Sequence, residues 1–254
     1  MSSTTYHSVN NRQQIYTANM TAISKALYAA IAILMLSAAI EMALLSNMVY
    51  WLHYRAGKAF EVTYNDSSFS LHGKPLGLLA NQGHTSNAAG GTAFILVGLT
   101  GILALWLRGR GRGKGLYYFW LIMTVVSVLL SLSALVYTMV LTNEHAGQNI
   151  DVSLASTLHN EPYPNYVAYP AQLWTPENWF AAVLQLDLTR ESDRHDIEMH
   201  LECMKGWRWN LIPLFVLGLA VCALAFADTM ARRTEARDRR ALEGYGREGK
   251  RLSA

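Results

Sequence analysis

Charge and cysteine are the two features that this sequence has least of. Only 15% of its 254 residues are charged, and its net charge is +3. That balance is too weak to indicate a nucleic-acid-binding face, so we expect no nucleic-acid partner. The two cysteines are Cys203 and Cys222, and nineteen helical residues would separate them by roughly 28 Å. An intrachain disulfide between them is therefore excluded.

What the chain has instead is four long apolar blocks. They run over 26–50, 88–107, 115–141 and 209–227. Each is near the ~20 residues that cross ~30 Å of hydrocarbon. The sequence therefore predicts an all-α membrane protein, a four-transmembrane-helix bundle with a small extracytoplasmic helical loop region. The first 24 residues are polar, so we expect the first span to act as its own signal-anchor.

Basic residues beside the blocks predict the orientation. The link 108–114 carries four of them, and the tail 228–254 is rich in arginine, whereas segment 142–208 holds ten acidic residues. The positive-inside rule places the link, the tail and the N-terminal segment 1–25 in the cytosol. Loops 51–87 and 142–208 are then outside the cytosol, and the protein is expected in the plasma membrane or a secretory-pathway endomembrane.

The first outer loop contains an N-glycosylation sequence that begins at Asn65. It lies between two β-prone stretches, 60–64 and 68–72. We therefore expect a small hairpin and a glycoprotein with its glycan on Asn65. A second such sequence begins at Asn19, on the predicted cytosolic side, and is expected to stay unmodified.

The second outer loop predicts two amphipathic helices. Thr175 and Pro176 have the residue types of an N-cap and a first helical position. Ser192 is the expected N-cap of the second helix. Since no helix-breaking residue lies between Ser192 and Arg208, this helix is expected to continue into the fourth span.

Glu41 is the only acidic or basic residue deep within an apolar block. A carboxylate inside a membrane is costly, so we expect it to face other helices and to be paired or protonated. Ser131 of the third span comes nearest to it in depth. One interpretation is an interhelical hydrogen-bonding group. The others are a proton carrier or general acid/base beside a lipid-like substrate, and a group that binds lipid or a partner.

A set of metal-ligand types occurs on the second helix of the outer loop. His195, Glu198 and Glu202 are spaced i, i+3 and i+7, which places them on one helix face and would suit a divalent ion. A solvated polar face explains the same pattern, and we favour that interpretation. No cofactor is predicted.

Two resemblances bear on the fold. The four-pass plan with a larger second outer loop resembles that of claudin-like and tetraspanin-like proteins, but the cysteine motifs of those families are absent from the sequence. The stretches 174–184 (WTPENWFAAVL) and 207–213 (WRWNLIP) resemble uncharacterised four-pass membrane proteins of filamentous fungi. This second resemblance implies a fungal endomembrane or cell-surface protein and implies no activity.

The functional hypotheses follow from these features. Aromatic-rich outer loops and the lack of a catalytic motif favour a membrane interaction or organising protein without catalysis. Its partners would be membrane lipid and a protein bound through the second outer loop, with homo-oligomerisation left open. The alternative is a small membrane-embedded enzyme of a fungal lipid or polyketide/terpenoid pathway, using Glu41 or the His195/Glu198/Glu202 face. A transporter comes third.

Overall fold

Four helices in the described part of the chain are long and apolar enough to cross a membrane. The computed structural model describes residues 3–158 and 167–252, with side chains from 20 to 158 and from 167 to 241. The spanning segments are Met20–Tyr54, Asn81–Gly109, Lys114–Glu144 and Glu191–Ala241. They confirm the predicted fold class, a four-helix membrane bundle.

The first and last helices are much longer than a bilayer requires. Helix α1 covers Ser3–Tyr54 and helix α7 covers Glu191–Leu252, whereas about 20 residues are enough to cross. The two pack mainly on each other. Helix α7 combines the predicted loop helix, the fourth span and most of the basic tail in one element, which confirms the predicted continuity.

The second span changes its helical pitch halfway. It consists, in order, of α2 (Asn81–Gly91), a π-helix (Thr92–Leu99) and α3 (Thr100–Gly109). A π-helix changes the backbone hydrogen-bonding pattern. The Trp120 indole of α4 (Lys114–Glu144) donates to the Val97 carbonyl at 2.8 Å. Gly101 makes room for this ring, because a Cβ there would lie 2.4 Å from Trp120 Nε1.

A small folded region, here called the headpiece, lies at one end of the bundle and comprises 55–80, 145–158 and 167–190. Its elements are β1 (Ala59–Tyr64), β2 (Ser67–His72), α5 (Val152–Thr157) and α6 (Pro176–Val183). The two strands form the predicted antiparallel hairpin. Both residues of its turn have positive φ, 49° for Asn65 and 61° for Asp66, as a type I′ turn requires.

Buried tryptophans form the centre of the headpiece, and their N–H groups have partners. Trp179 Nε1 donates to the Gly73 carbonyl and Trp174 Nε1 to the Ala171 carbonyl, each at 2.9 Å. Helix α6 begins as predicted, since the Thr175 hydroxyl accepts the Asn178 N–H at 3.2 Å. The apolar core of the headpiece is continuous with the adjoining ends of α1 and α7.

Three polar contacts and a ring stack connect the end of α1 to the start of α7. Arg55 forms an ion pair with Asp193 and lies 3.4 Å from Asp196. The Trp51 indole donates to Asp196 at 2.9 Å, and its ring stacks on His200 at 4.4 Å. These contacts attach the headpiece end of the bundle to α7.

The opposite end of the bundle, here called the basic end, is organised around a buried carboxylate. Asp228 of α7 accepts from Arg108 at 2.8 Å and from Arg232 at 3.0 Å. Arg108 also lies over the Tyr117 ring, 3.7 Å from its centroid. The link between α3 and α4 is thereby held against α7, which concentrates positive charge at this end.

Two further helical segments lie where the sequence analysis expects irregular loop. Residues 81–87, expected in the first outer loop, are the first turns of α2. They are too polar for a hydropathy signal, but Gln82 and Ser86 are buried inside the protein and do not face lipid. Helix α5 was not predicted, and Asp151 caps it by accepting the N–H groups of Ser153 and Leu154.

Candidate functional site

Glu41 of α1 is fully buried and is held by the fourth span. Asn210 Nδ2 of α7 donates to Glu41 Oε2 at 2.8 Å and to the Ser37 carbonyl at 3.0 Å. Helix α2 approaches the same point, because a Cβ added to Gly90 would lie 3.4 Å from Glu41 Cγ. Three helices therefore meet at this side chain, which lies in the bundle interior.

Ser131, which is nearest to Glu41 in predicted depth, is not its hydrogen-bonding partner. The Ser131 hydroxyl is buried and donates to the Val128 carbonyl of its own helix at 3.1 Å. Back-bonding of this kind is common for Ser within a helix. The partner is Asn210, which the sequence analysis did not single out.

The second oxygen of the Glu41 carboxyl, Oε1, accepts no hydrogen bond from residues 20–158 or 167–241. The Trp207 indole, one turn before Asn210 on α7, interacts with the carboxyl group without reaching hydrogen-bond geometry. A carboxyl with a free oxygen can exchange a proton with a group that comes within hydrogen-bond distance. A change in the position of the Trp207 side chain would therefore change how easily another group reaches Glu41.

Trp207 also lines a cavity of about 490 Å³ between the bundle and the headpiece. The cavity is bounded by the end of α1, the start of α2, the first residue of α6 and α7. Its volume falls in the range of small-molecule sites, about 300–1,000 Å³. Its inner wall, also called its floor here, consists of buried residues from these four helices: Leu45, Met48, Leu52, Gln82, Pro176 and Trp207.

The rim of the cavity lies between α1 and α2. Val49 and Tyr50 of α1 are 44% and 64% exposed, and His84 and Asn87 of α2 are also exposed. Since these residues belong to the headpiece ends of two spanning segments, the cavity opens at the side of the bundle, between α1 and α2. It extends along α1 from Leu45 to His53, a rise of about 12 Å.

Gln82 is the buried polar residue in the wall of this cavity. It is 1% exposed, and neither its amide oxygen nor its amide nitrogen has a hydrogen bond within the described chain. One turn deeper on α2, the buried Ser86 hydroxyl also lacks a partner among the described residues. Since Gly90 follows one turn later, this face of α2 leads from the cavity to Glu41. Buried polar groups normally have partners, so this face would stabilise a polar group brought to it.

An ion pair lies next to the cavity, on the headpiece side. Glu177 Oε1 is 3.0 Å from Arg208 of α7, and Pro176 beside it belongs to the cavity floor. Burial raises the pKa of the Glu177 carboxyl, while the positive charges of Arg208 and Lys205 oppose that rise. The two charges of the pair compensate each other, although Arg208 Nε has no hydrogen bond within the described chain.

The proposed metal face does not assemble into a site. His195 and Glu198 are exposed on α7, and Glu202 pairs with Lys205 at 2.7 Å. Among the described residues, no three or more His, Cys, Asp or Glu side chains are placed to hold a metal ion. The geometry of this face is that of a solvated helix surface.

Asn65 is the remaining predicted site residue. It is exposed at the tip of the β1–β2 hairpin, where an attached glycan would meet no steric obstacle from the headpiece core. The glycan itself stays a prediction.

Comparison of the chain with protein-family models, with curated proteins and with solved structures finds no match. The resemblance to fungal four-pass proteins therefore stays a prediction.

Proposed function

We propose that this protein binds a lipid-like small molecule in the cavity between α1 and α2. The observation that supports this is Gln82, a buried amide without a partner among the described residues, in the wall of a cavity of about 490 Å³. A mostly apolar pocket with a few placed polar groups is the usual form of a small-molecule site. A bundle that served only to span the membrane would have no need of such a cavity.

The same proposal includes the orientation predicted from the sequence. The basic end, with Arg108 and Arg232, would face the cytosol together with both termini. The headpiece and its Asn65 turn would then be lumenal or extracellular, in the plasma membrane or a secretory-pathway membrane. The cavity would lie in the leaflet next to the headpiece, where a lipid-like molecule can enter laterally between α1 and α2.

The binding function is tested by closing the cavity from its exposed rim. Ser46 lines the cavity and is exposed, so Ser46→Trp should fill the space without disturbing the core. Leu129→Trp is the matched control, because Leu129 is 61% exposed on α4 and does not line the cavity. Native mass spectrometry of the purified proteins should show a retained small molecule in the wild type and in the control. Equal retention by Ser46→Trp would contradict the proposal.

A catalytic role for Glu41 is a second candidate, favoured by its free Oε1 atom beside Trp207. Glu41→Gln keeps an oxygen that can accept the Asn210 N–H, so the protein should stay folded and correctly located. If Glu41 exchanges protons with a substrate, a strain carrying Glu41→Gln should show the metabolite profile of a deletion strain. A wild-type profile in that strain would contradict the catalytic role.

The interaction or organising role predicted from the sequence is a third candidate. The headpiece supports it, because a folded region with an aromatic core packed on the ends of α1 and α7 is more than a connection between spans requires. Lys58 and Lys74 of the headpiece offer amines for crosslinking in the native membrane. Crosslinks from them to another protein, or to a second copy of the chain, would support this role. Crosslinks confined to one chain would contradict it.

A further inference from the structure

We propose that the ligand of this cavity is an uncharged lipid, with a hydroxyl or carbonyl head group that hydrogen-bonds to the Gln82 amide. This inference rests on the proposed ligand-binding function and specifies its ligand class. Three properties of the site support it: the charge of the lining, the hydrogen-bonding capacity of Gln82, and the direction in which the cavity opens.

The lining of the cavity carries no acidic, lysine or arginine side chain among the described residues. The nearest carboxyl groups belong to Glu41, which contacts Asn210, and to Glu177, which pairs with Arg208. A charged head group placed at the cavity floor would lose its hydration and meet no opposite charge, which is strongly unfavourable. The two histidines, His53 and His84, lie on the exposed rim.

Gln82 offers both kinds of hydrogen bond from one position. Its side chain has two N–H donors and a carbonyl acceptor, and the described chain uses none of them. A hydroxyl group can accept from the amide N–H and donate to the amide oxygen at once, and a carbonyl group can accept. The amide nitrogen and oxygen have less than 1 Å² of accessible surface each, so the head group would reach them once the Gln82 side chain turns toward the cavity. Either head group would then satisfy the amide without adding a charge.

The hydrocarbon tail of such a lipid would leave the cavity through its open side, between α1 and α2. The exposed Val49 and Tyr50 of α1 form one edge of the opening, and His84 and Asn87 of α2 form the other. A head group at Gln82 would leave its hydrocarbon tail between these edges, in contact with the bilayer. The ligand class is thus an amphiphile with one neutral head group.

The test compares two photoreactive, clickable probes that share one long alkyl chain, a primary alcohol and the corresponding carboxylic acid. The wild-type protein in neutral-lipid vesicles should crosslink the alcohol more strongly than the acid. Gln82→Leu should weaken crosslinking of the alcohol by about fivefold, the change expected for one hydrogen bond. Thr85→Val is the matched control, because Thr85 lies on the same helix outside the cavity lining, and it should leave crosslinking unchanged.

Loss of folding does not confuse this comparison. Because the Gln82 amide has no hydrogen bond in the described chain, Gln82→Leu should unfold at the same temperature as the wild type or a higher one. Equal crosslinking of both probes by the wild type, or unchanged crosslinking of the alcohol by Gln82→Leu, would overturn the neutral-lipid inference. If Ser46→Trp blocked both probes in that case, the ligand-binding function would stand. If Ser46→Trp left both probes unaffected, the binding function would fail as well.

Discussion

Replacing Asn210 by Leu should destabilise the bundle more than replacing Glu41 by Leu, although the two side chains share a single hydrogen bond. Asn210→Leu removes the donor that lies 2.8 Å from Glu41 Oε2. Since Oε1 already accepts no hydrogen bond from the described residues, the whole buried carboxyl group would then be without one. A buried polar group left in this state costs about 1–3 kcal/mol, and a charged one costs more.

Glu41→Leu removes the carboxyl group together with its unpartnered oxygen. The lost interhelical hydrogen bond contributes about 0.6 kcal/mol on average in a membrane, with a maximum near 1.7. Asn210 Nδ2 would keep its contact with the Ser37 carbonyl at 3.0 Å. The free energy of unfolding should therefore stay within about 1 kcal/mol of the wild type.

The double substitution distinguishes this explanation from one in which each lost contact costs a fixed amount of free energy. With no carboxyl group to leave unpaired, Glu41→Leu with Asn210→Leu should be about as stable as Glu41→Leu alone, which corresponds to a coupling energy of about 1–3 kcal/mol. The four proteins can be compared by reversible unfolding in bicelles, followed by tryptophan fluorescence. Equal losses for the two single substitutions, or an additive loss in the double one, would refute the argument.

Three further results are expected. Gly101→Ala should lower the free energy of unfolding by about 1–3 kcal/mol, because its Cβ would lie 2.4 Å from Trp120 Nε1. Gly91→Ala is the control and should not lower it, since Gly91 has open space around it. Equal melting temperatures for the two variants would contradict this packing. Asn65→Gln should abolish a glycosidase-sensitive mobility shift on a gel, and a glycan on Asn19 instead would reverse the orientation. Burial raises the pKa of Glu177 above its ordinary value of 4.5, so the folded state holds a proton that the unfolded state releases. In unfolding experiments, the stability of the wild type relative to Glu177→Gln should then be greatest below pH 4.5 and decline as the pH rises through the raised pKa. A stability difference that grows with pH would contradict the upward direction of the pKa shift.

Features that depend on neighbouring residues could be predicted from the sequence. Apolar blocks of spanning length predict membrane helices because hydropathy averages over the whole circumference of a helix. The Thr175–Pro176 helix start and the Asn65 hairpin were predicted because capping and type I′ turns depend on a few adjacent residues. Both elements are present in the structure.

Features that depend on which helix faces meet were decided by the tertiary structure. Residues 81–87 looked like loop because they are polar, yet Gln82 and Ser86 are buried in the first turns of α2. Depth suggested Ser131 beside Glu41, but the packing of α1 on α7 placed Asn210 there.

The sequence alone determined three features. These are the number of spans, the isolation of Glu41 within the first span, and the surface character of the His195 face. The cavity and its Gln82 wall could not be predicted from it, because a cavity is a property of the space between four helices. Seven residues between 45 and 53 and five between 80 and 87 form it together with Pro176 and Trp207, although these parts are far apart in the chain. Hydropathy reports how a residue type partitions between water and lipid, and it carries no information on whether a neighbouring helix fills the space beside that residue. Only the rotation and packing of the helices determine that.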